Sequence, residues 1–556
     1  MSEDNEAIWS NERLAFEVIQ TCWWAGSREF VICAGSRNSP LVLQLLRLQH
    51  EHGDLKIWHF FEERSAAFFA LGRAKITGEP ATVVTTSGTA AAELLPAVIE
   101  AHYAALPLIL VTADRPVAFR YSGAPQAIDQ QHLFGRNVER FLDVSVQHHS
   151  ELDGMDELLS QRFVQRRWHI NVAFDEPLVS PLQVEFGRTL QAMEVSSASS
   201  GLPAKVEDDE QEMVEGFGLN SATGVVLVGN SSPAQDQQAW VQALVDLAWP
   251  IWAEASSGLR EEESLNRLII KDEADFFTDF INQRKARVLR LAGVPSLRFW
   301  RDLEEASHVE VLSLAATGGF SGLARESKVL RGDALAALRH LVDLGGEEKE
   351  GVGQSEQRVE ALLLKYPLSE PAWIRRWSQL IPEGSLVFLG NSMPIREWNL
   401  AATFESRRLF CHASRGANGI DGQLSTFLGM SADQQESWGL FGDLTTLYDL
   451  SAPSVWDQLP AGKKRRLLVI NNGGGRIFSR LPHLASLPED EQRVVQNRHQ
   501  VGFEHWAAMW GMDYLQVSAR QDLLEYDWDG AESLVIELCP DLQQTEAFWQ
   551  DEAKAL

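Results

Sequence analysis

The chain is poor in cysteine, in positive charge and in long apolar runs. Four of its 556 residues are cysteines, Cys22, Cys33, Cys411 and Cys539, and none pair at metal or redox spacing. That argues against a disulfide framework and against a cysteine-held zinc site. Lys and Arg number 49 against 78 Asp and Glu, a formal net charge of −29. Nucleic acid and anionic membranes reward cationic surfaces, so neither is expected as a partner. A small anionic substrate stays compatible with that total, because a pocket can be locally basic. No window reaches the uninterrupted apolar length that spans a bilayer. The first residues, MSEDNEAIWSNE, are acidic and lack the basic region and apolar core of a secretory signal. These absences together predict a cytoplasmic location.

What is present is a chain that is 45% hydrophobic and 23% charged, long enough for about three or four domains with their own cores. Two stretches lack apolar periodicity and carry breakers and charge, residues 187–213 and 344–360, and both read as linkers. They predict an N-terminal domain over 1–186, a central domain over 214–343 and a C-terminal domain over 361–556.

Each block reads as α/β. EFVICAGSRNSPLVLQLLRL is an apolar strand, a loop and a helix, with Ser39 as expected N-cap and Pro40 at its first position. PATVVTTSGTAAAELLPAVIEAHYAALPLILVTADRP reads strand, small-residue turn, helix, strand, a βαβ unit. GVVLVGNSS, ARVLRLAGVPS and VEVLSLAAT in the second block, and SLVFLGNS, WGLFGD and RRLLVINNGGG in the third, are further apolar runs ending in turns. Continuous apolar strands separated by helices imply mainly parallel sheets covered on both faces, in three consecutive α/β domains. Ligands of such sheets sit at the carboxyl ends of strands, and every motif that follows lies there. No repeat of solenoid period is evident, although the blocks repeat an architecture.

Asp443 follows one strand, and Asn472 follows the next, 29 residues on, a spacing that fits one helix and one strand. Two neighbouring strand ends would then offer a carboxylate, an amide oxygen and an exposed glycine carbonyl. Mg²⁺ asks for oxygen ligands and completes its octahedron with phosphate oxygens and water. Each half alone is more often an ordinary helix cap or an Asn-Gly turn; the two together are more specific.

Gly-Asp, one helix and strand, then Asn-Asn resembles the signature of thiamine diphosphate-dependent enzymes. The generic motif has glycine after the Asp, and this chain has Leu444. That departure resembles one branch, the synthases of menaquinone biosynthesis that make 2-succinyl-5-enolpyruvyl-6-hydroxy-3-cyclohexene-1-carboxylate (SEPHCHC). ICAGSRNSP, FEERSAAFFALGRAK, VTTSGTAAAELLPAVIEA, LVTADRP, GAPQAI, GNSMPIR, SRGANGIDGQLST, GDLTTLYDL and NNGGGRIFSRLP all resemble that branch, in its order. The middle block resembles it weakly. Three departures are Ala34 before GSR, Pro125 before Gln126 and Glu62 where the branch has Asp.

The resemblance implies a thiamine diphosphate-binding fold, with a pyrimidine-binding and a pyrophosphate-binding domain flanking the central one. It implies thiamine diphosphate and Mg²⁺, with Mn²⁺ as a substitute metal. Asp443, Asn472 and the Gly474 carbonyl are the implied metal ligands. Ser392, Gly442, Leu444 and Thr445 are the implied contacts of the diphosphate end, and Ile420 is the apolar residue over which the cofactor bends. Glu63 is the implied partner of the aminopyrimidine; a carboxyl in a dry pocket has a raised pKa suited to sharing a proton. Without the resemblance, Glu62-Glu63 reads as an exposed acidic turn.

The implied reaction decarboxylates 2-oxoglutarate and adds the remaining succinyl unit to isochorismate. Both substrates carry two carboxylates, which the planar fork of arginine matches. Arg37, Arg115, Arg396 and Arg415 lie inside the matching motifs, with Ser36 and Gln126 as polar contacts, Ile477 and Phe478 as an apolar wall, and Arg298 as a looser match in the central block. The family also implies a homodimer or homotetramer with active sites between subunits. Two rivals stand beside this reading: another thiamine-dependent 2-oxo acid decarboxylase or acetolactate-type synthase, and a cofactor-binding relic used as an assembly or regulatory subunit. GVVLVGNSS lacks the extended glycine fingerprint of a dinucleotide site, as a flavin-carrying middle block would have. His59, His102 and His132 share no spacing and read as structural.

Overall fold

A computed structural model of the chain describes residues 9–152, 166–179, 189–191, 208–217, 223–230, 237–283, 285–314, 322–325, 327–330, 333–344, 357–523, 526, 528 and 530–554. The chain forms two compact units. One comprises residues 1–200, 421–432 and 449–460, and the other 201–420, 433–448 and 461–556.

The first unit is built on a six-stranded, wholly parallel sheet of β1 (Glu29–Cys33), β2 (Lys56–Phe60), β3 (Ala81–Thr85), β4 (Leu108–Asp114), β5 (Arg140–Ser145) and β6 (Arg167–Ala173). Its strand order is β2-β1-β3-β4-β6-β5. Strands β1, β3, β4 and β6 are buried at every position, and β1, β3 and β4 read accordingly as mainly apolar runs, whereas β6 buries Arg167, His169 and Asn171.

The helix after β2, Glu63–Thr77, starts where Glu62 caps it. The Glu62 carboxylate accepts from the N–H groups of Arg64 and Ser65 at 3.0 and 2.9 Å. Gly78 ends it in the left-handed region at φ 75°. Small and aromatic residues from Ser65 to Lys75 are buried all round the helix. Its partner is the helix Gln423–Ser431, and glycines set the approach. A Cβ on Gly72 would stand 2.1 Å from the Thr426 carbonyl oxygen, and one on Gly429 would stand 2.2 Å from that of Phe69. Arg73 spans the contact, donating to the Gly429 carbonyl at 3.0 Å and pairing with Glu29 at 2.6 Å. Gly72→Ala is therefore expected to cost roughly 1–3 kcal/mol, as overpacking does. Thermal unfolding checks this against Gly53→Ala, whose added Cβ meets nothing.

The second unit holds two parallel sheets. The smaller comprises β7 (Thr223–Val228), β8 (Ile251–Ala253), β9 (Ala286–Leu291), β10 (Glu310–Leu314) and β11 (Lys328–Leu330), in the order β11-β10-β9-β7-β8. The larger comprises β12 (Leu386–Leu389), β13 (Phe410–His412), β14 (Glu436–Gly442), β15 (Lys464–Ile470), β16 (Asp513–Val517) and β17 (Ser533–Leu538), in the order β13-β12-β14-β15-β17-β16. Counted within its own sheet, that order is the one found in the first unit. Much of the tryptophan is core: Trp373, Trp377 and Trp398 are fully buried, and Trp377 meets Trp438 and Trp528 at centroid distances of 5.7 and 6.0 Å.

Two local readings change. The N-cap of the helix Ser39–Glu51 is Asn38, not Ser39. The Asn38 side chain braces the preceding loop instead, accepting from Gly35 N–H and donating to the Cys33 carbonyl at 2.8 and 2.9 Å. Within the stretch read as a linker over 187–213, residues from Asp208 belong to a helix, Asp208–Phe217, that buries Val214 and Phe217. The rest of that stretch, apart from 189–191, lies outside the described residues, as does 345–356 of the other linker.

Candidate active-site clusters

The carboxyl ends of the first sheet gather one cluster. Ser36 is exposed and Arg37 buried just past β1. Arg37 donates to the Phe174 carbonyl at 3.1 Å and pairs with Glu176 at 3.2 Å, so its guanidinium ties the loop after β6. Past β4, Arg115 donates through Nε to the backbone carbonyl of Pro125 at 3.1 Å, a contact that does not depend on the side chain at that position. Gln126 is exposed, with φ 55°, and its Cα lies 3.2 Å from where a Cβ on Gly88 would be. Gln130 holds this loop from below, accepting from Gly88 N–H at 2.9 Å and donating to Asn171 Oδ1 at 2.8 Å.

The two acids of Glu62-Glu63 have separate work. Glu62 is consumed by the cap and by the hydroxyls of Ser65 and Ser451, the latter at 3.2 Å. Behind them lies Asp449, fully buried, which accepts from Ser425 N–H and Oγ at 2.8 and 3.0 Å; burial pushes its carboxyl up to about 6. Glu63 is half-buried, and burial raises its carboxyl above the usual glutamate range, with Glu62 and Glu93 adding to the rise. The Cys33 thiol at the end of β1 is pushed up by burial and then by Glu63, which sets the Glu63 charge near that strand end.

A second cluster occupies the strand ends of the larger sheet in the other unit. Leu389 pairs with Leu440, and Gly442 with Ile470, so the chain leaves β12, β14 and β15 side by side at Ser392, Asp443 and Asn472. The strand order reverses between β12 and β14, the crevice where open α/β sheets take ligands. Ser392 has φ 71°, a strained conformation of the kind that collects at functional sites. Arg396 secures it by donating to its carbonyl at 2.5 Å.

Asp443 is 2% exposed. One oxygen accepts from Leu444 N–H at 2.6 Å, the other from Gly474 N–H at 2.9 Å, and His499 Nε2 lies 3.3 Å from that second oxygen. Burial raises its carboxyl above the ordinary aspartate range. Gly474 has φ 134°, and a Cβ there would stand 2.6 Å from the Gln496 carbonyl oxygen, so only glycine fits. Asn472 is buried, its Nδ2 donates to Glu370 at 3.0 Å, and its Oδ1 is a buried oxygen with no hydrogen-bond partner. An orphaned amide oxygen on a strand end shared with a carboxylate is a fitting donor set for a hard cation. Among the described residues no group of three or more His, Cys, Asp or Glu forms a metal site. Thr445 is buried, while Gly442 and Leu444 are half-buried beside it.

Arg415 is buried and donates to Asn391 Oδ1 at 3.0 Å; Asn391 in turn donates to the carbonyls of Ser414 and Gly419 at 2.8 and 2.7 Å, just before Ile420. Glu254, at the end of β8, lies 3.5 Å from Arg415 Nε. Arg396 is half-buried, and burial together with Arg415 and Arg480 lowers its pKa. Ile420, Ile477 and Phe478 are half-buried. Arg298 projects into solvent, with a long contact of 3.8 Å to Asp302. Sequence reasoning did not single out Glu370, His499, Asn391 or Glu254. Asn391 sits within GNS beside Ser392 and was findable there; the other three have no local signal, because their partners are distant in sequence.

Comparison with known proteins follows the same lines. Residues 13–133 match the family model described as "Thiamine pyrophosphate enzyme, N-terminal TPP binding domain", and together with the full-length relatives this makes the chain a thiamine diphosphate-type enzyme. Over nearly its whole length it is similar to proteins named 2-succinyl-5-enolpyruvyl-6-hydroxy-3-cyclohexene-1-carboxylate synthase. That of Akkermansia muciniphila is 40% identical, covering 95% of this chain and 96% of the relative. That of Bdellovibrio bacteriovorus is 37% identical, covering 98% of each, and that of Bacillus pumilus 32%, covering 92% and 90%. The chain belongs to the SEPHCHC synthase family.

Proposed function

We propose that the chain is a transferase of menaquinone biosynthesis that decarboxylates 2-oxoglutarate and joins the remaining succinyl unit to isochorismate, giving SEPHCHC and CO₂. The observation that carries it is the second cluster: Asp443, the orphaned Asn472 oxygen and the glycine-only turn at Gly474 meet at adjacent strand ends, in a chain of this family. Thiamine diphosphate, when bound, supplies the electron sink for decarboxylation. Asp443, Asn472 and the Gly474 carbonyl hold Mg²⁺, with Mn²⁺ as substitute. Ser392, Gly442, Leu444 and Thr445 contact the diphosphate end, and Ile420 supports the cofactor's bend. Glu63 shares a proton with the aminopyrimidine. Arg396 and Arg415 pair with substrate carboxylates. Ser36, Arg115, Gln126 and Phe478 shape the rest of the pocket, Arg37 fixes its loop, and Arg298 serves as an outer basic residue.

In this reading the first and third of three domains, 1–186 and 361–556, come from different copies at each site, which makes the working form a homodimer or a pair of dimers. A cytoplasmic location fits small-molecule substrates of this kind. Among the described residues no helix is long and apolar enough to cross a membrane. The test is CO₂ release from 2-oxoglutarate by the purified chain with thiamine diphosphate and Mg²⁺. Rapid release that requires isochorismate and consumes both is expected. Release of equal rate without isochorismate would make the chain a simple decarboxylase, and release from pyruvate instead would point to the acetolactate-type alternative.

A further inference from the structure

Glu370 is a buried acid that the proposed chemistry does not use. It opens the helix Glu370–Leu380 directly after the N-cap Ser369, and it is 1% exposed. The helix terminus favours a negative charge there, but a surface acid would satisfy that as well, and burying a carboxylate is costly unless it is hydrogen-bonded. Its N–H donates to Thr545 Oγ1 at 3.0 Å, and its carboxylate accepts from Asn472 Nδ2 at 3.0 Å.

That second bond fixes more than a distance. Glu370 Oε1 accepts from the amide nitrogen of Asn472, which turns the amide oxygen away from Glu370. The oxygen that faces away is the buried Oδ1 without a partner. Arg476 holds the other end of the residue, donating from Nε to the Asn472 carbonyl at 3.0 Å. Backbone and side chain of Asn472 are thus both clamped by charged groups that stand on neighbouring elements.

We propose that Glu370 is a positioning residue for the metal, orienting the Asn472 amide so that Oδ1 is presented to the ion. The inference rests on the reading of Asp443 and Asn472 as metal ligands. Metal ligands commonly depend on such outer partners, and losing one typically lowers metal affinity about 10- to 100-fold.

The test measures Mn²⁺ binding to the full chain with thiamine diphosphate, by electron paramagnetic resonance and without substrate. Glu370→Leu removes the acceptor and should weaken Mn²⁺ binding about 10- to 100-fold. Glu370→Gln keeps an acceptor oxygen and should regain most of that loss. In an Asn472→Ala background, adding Glu370→Leu should change nothing further, because Glu370 acts only through Asn472. Should Glu370→Leu fail to fold, a swap carries the test. Asn472→Asp sets carboxylate against carboxylate and loses Mn²⁺. Adding Glu370→Gln, which donates where Asn472 did, recovers it. Unchanged Mn²⁺ affinity in Glu370→Leu, a further loss in the Asn472→Ala background, or no recovery in the swap would overturn the proposal. Failure of the unsubstituted chain to bind Mn²⁺ with the cofactor would overturn the metal reading itself, and this proposal with it.

Discussion

Glu63→Gln is expected to lose turnover by roughly 10²–10⁴-fold, the span that a positioned acid–base group contributes, while thiamine diphosphate and Mg²⁺ still bind. The division of labour between the two acids is the reason. Glu62 is spent on capping its helix and on two hydroxyls, so it is not free to replace its neighbour. Glu63 carries the raised carboxyl, with burial as the main cause. Glutamine keeps the shape and the hydrogen bonding but cannot share a proton. The same substitution has a stability signature of definite sign. A carboxyl whose folded pKa lies above its unfolded value costs stability once the pH exceeds the unfolded value, because the folded chain resists ionising it. Glu63→Gln removes that cost, so its thermal midpoint should equal or exceed that of the unsubstituted chain at neutral pH. The difference should vanish as the pH falls to where Glu63 is protonated in both states. Steady-state CO₂ release, cofactor titration and melting curves at two pH values check all three parts. Full activity in Glu63→Gln would remove Glu63 from the chemistry.

Asp443→Ala is expected to weaken Mg²⁺-dependent binding of thiamine diphosphate by more than about 100-fold, beyond what an outer partner is worth. Two losses add. The ion loses a charged ligand, and the N–H groups of Leu444 and Gly474 lose their acceptors, each a cost of about 1–3 kcal/mol where it stays buried and unmet. The second loss frees the turn at Gly474, whose carbonyl is another proposed ligand. Asp443→Asn is no rescue, because its NH₂ would face one of those two N–H donors. A titration of Mg²⁺ at fixed thiamine diphosphate reads the effect, and an unchanged midpoint would show that Asp443 is only a helix cap.

The central strands were legible because both of their faces are covered, unlike those of the edge strands β2 and β16. VVLV, LLVI and LILV hold no polar face to blur the pattern, and the motifs at their carboxyl ends inherit a location from that fact alone. The caps were less legible. Asn38 and Ser39 are both good N-cap residues, and what separates them is the turn of the preceding loop, which Asn38 braces through Gly35 and Cys33. The helix Asp208–Phe217 was hidden by its acids, since the apolar positions that reach the core, Val214 and Phe217, come at its end. Within the clusters, Asp443 and Asn472 could be read because each lies on a motif. Glu370 and Glu254 could not, because nothing near them in sequence records the partner they meet. Arg37 reads from its motif as a substrate arginine, whereas its contacts with Phe174 and Glu176 tie it to a loop far along the chain. The membership of residues 421–432 in the first unit had no local trace either, for Gln423–Ser431 is simply one more helix until the bare glycines of Gly72 and Gly429 are brought face to face.

That last arrangement has a consequence for synthesis. The first unit is discontinuous: it takes residues up to Ser200 and then two pieces that end at Pro460. At roughly 5–20 residues per second, a ribosome needs about 13–50 seconds to travel between those points. Until Gly429 is made, late in that interval, the nascent chain carries a finished set of strands whose Gly72 face has no helix to meet it and whose Arg73 has no Gly429 carbonyl to bind. Translation rate and chaperone supply, more than the equilibrium stability of the finished chain, would then set how much of this protein a cell recovers.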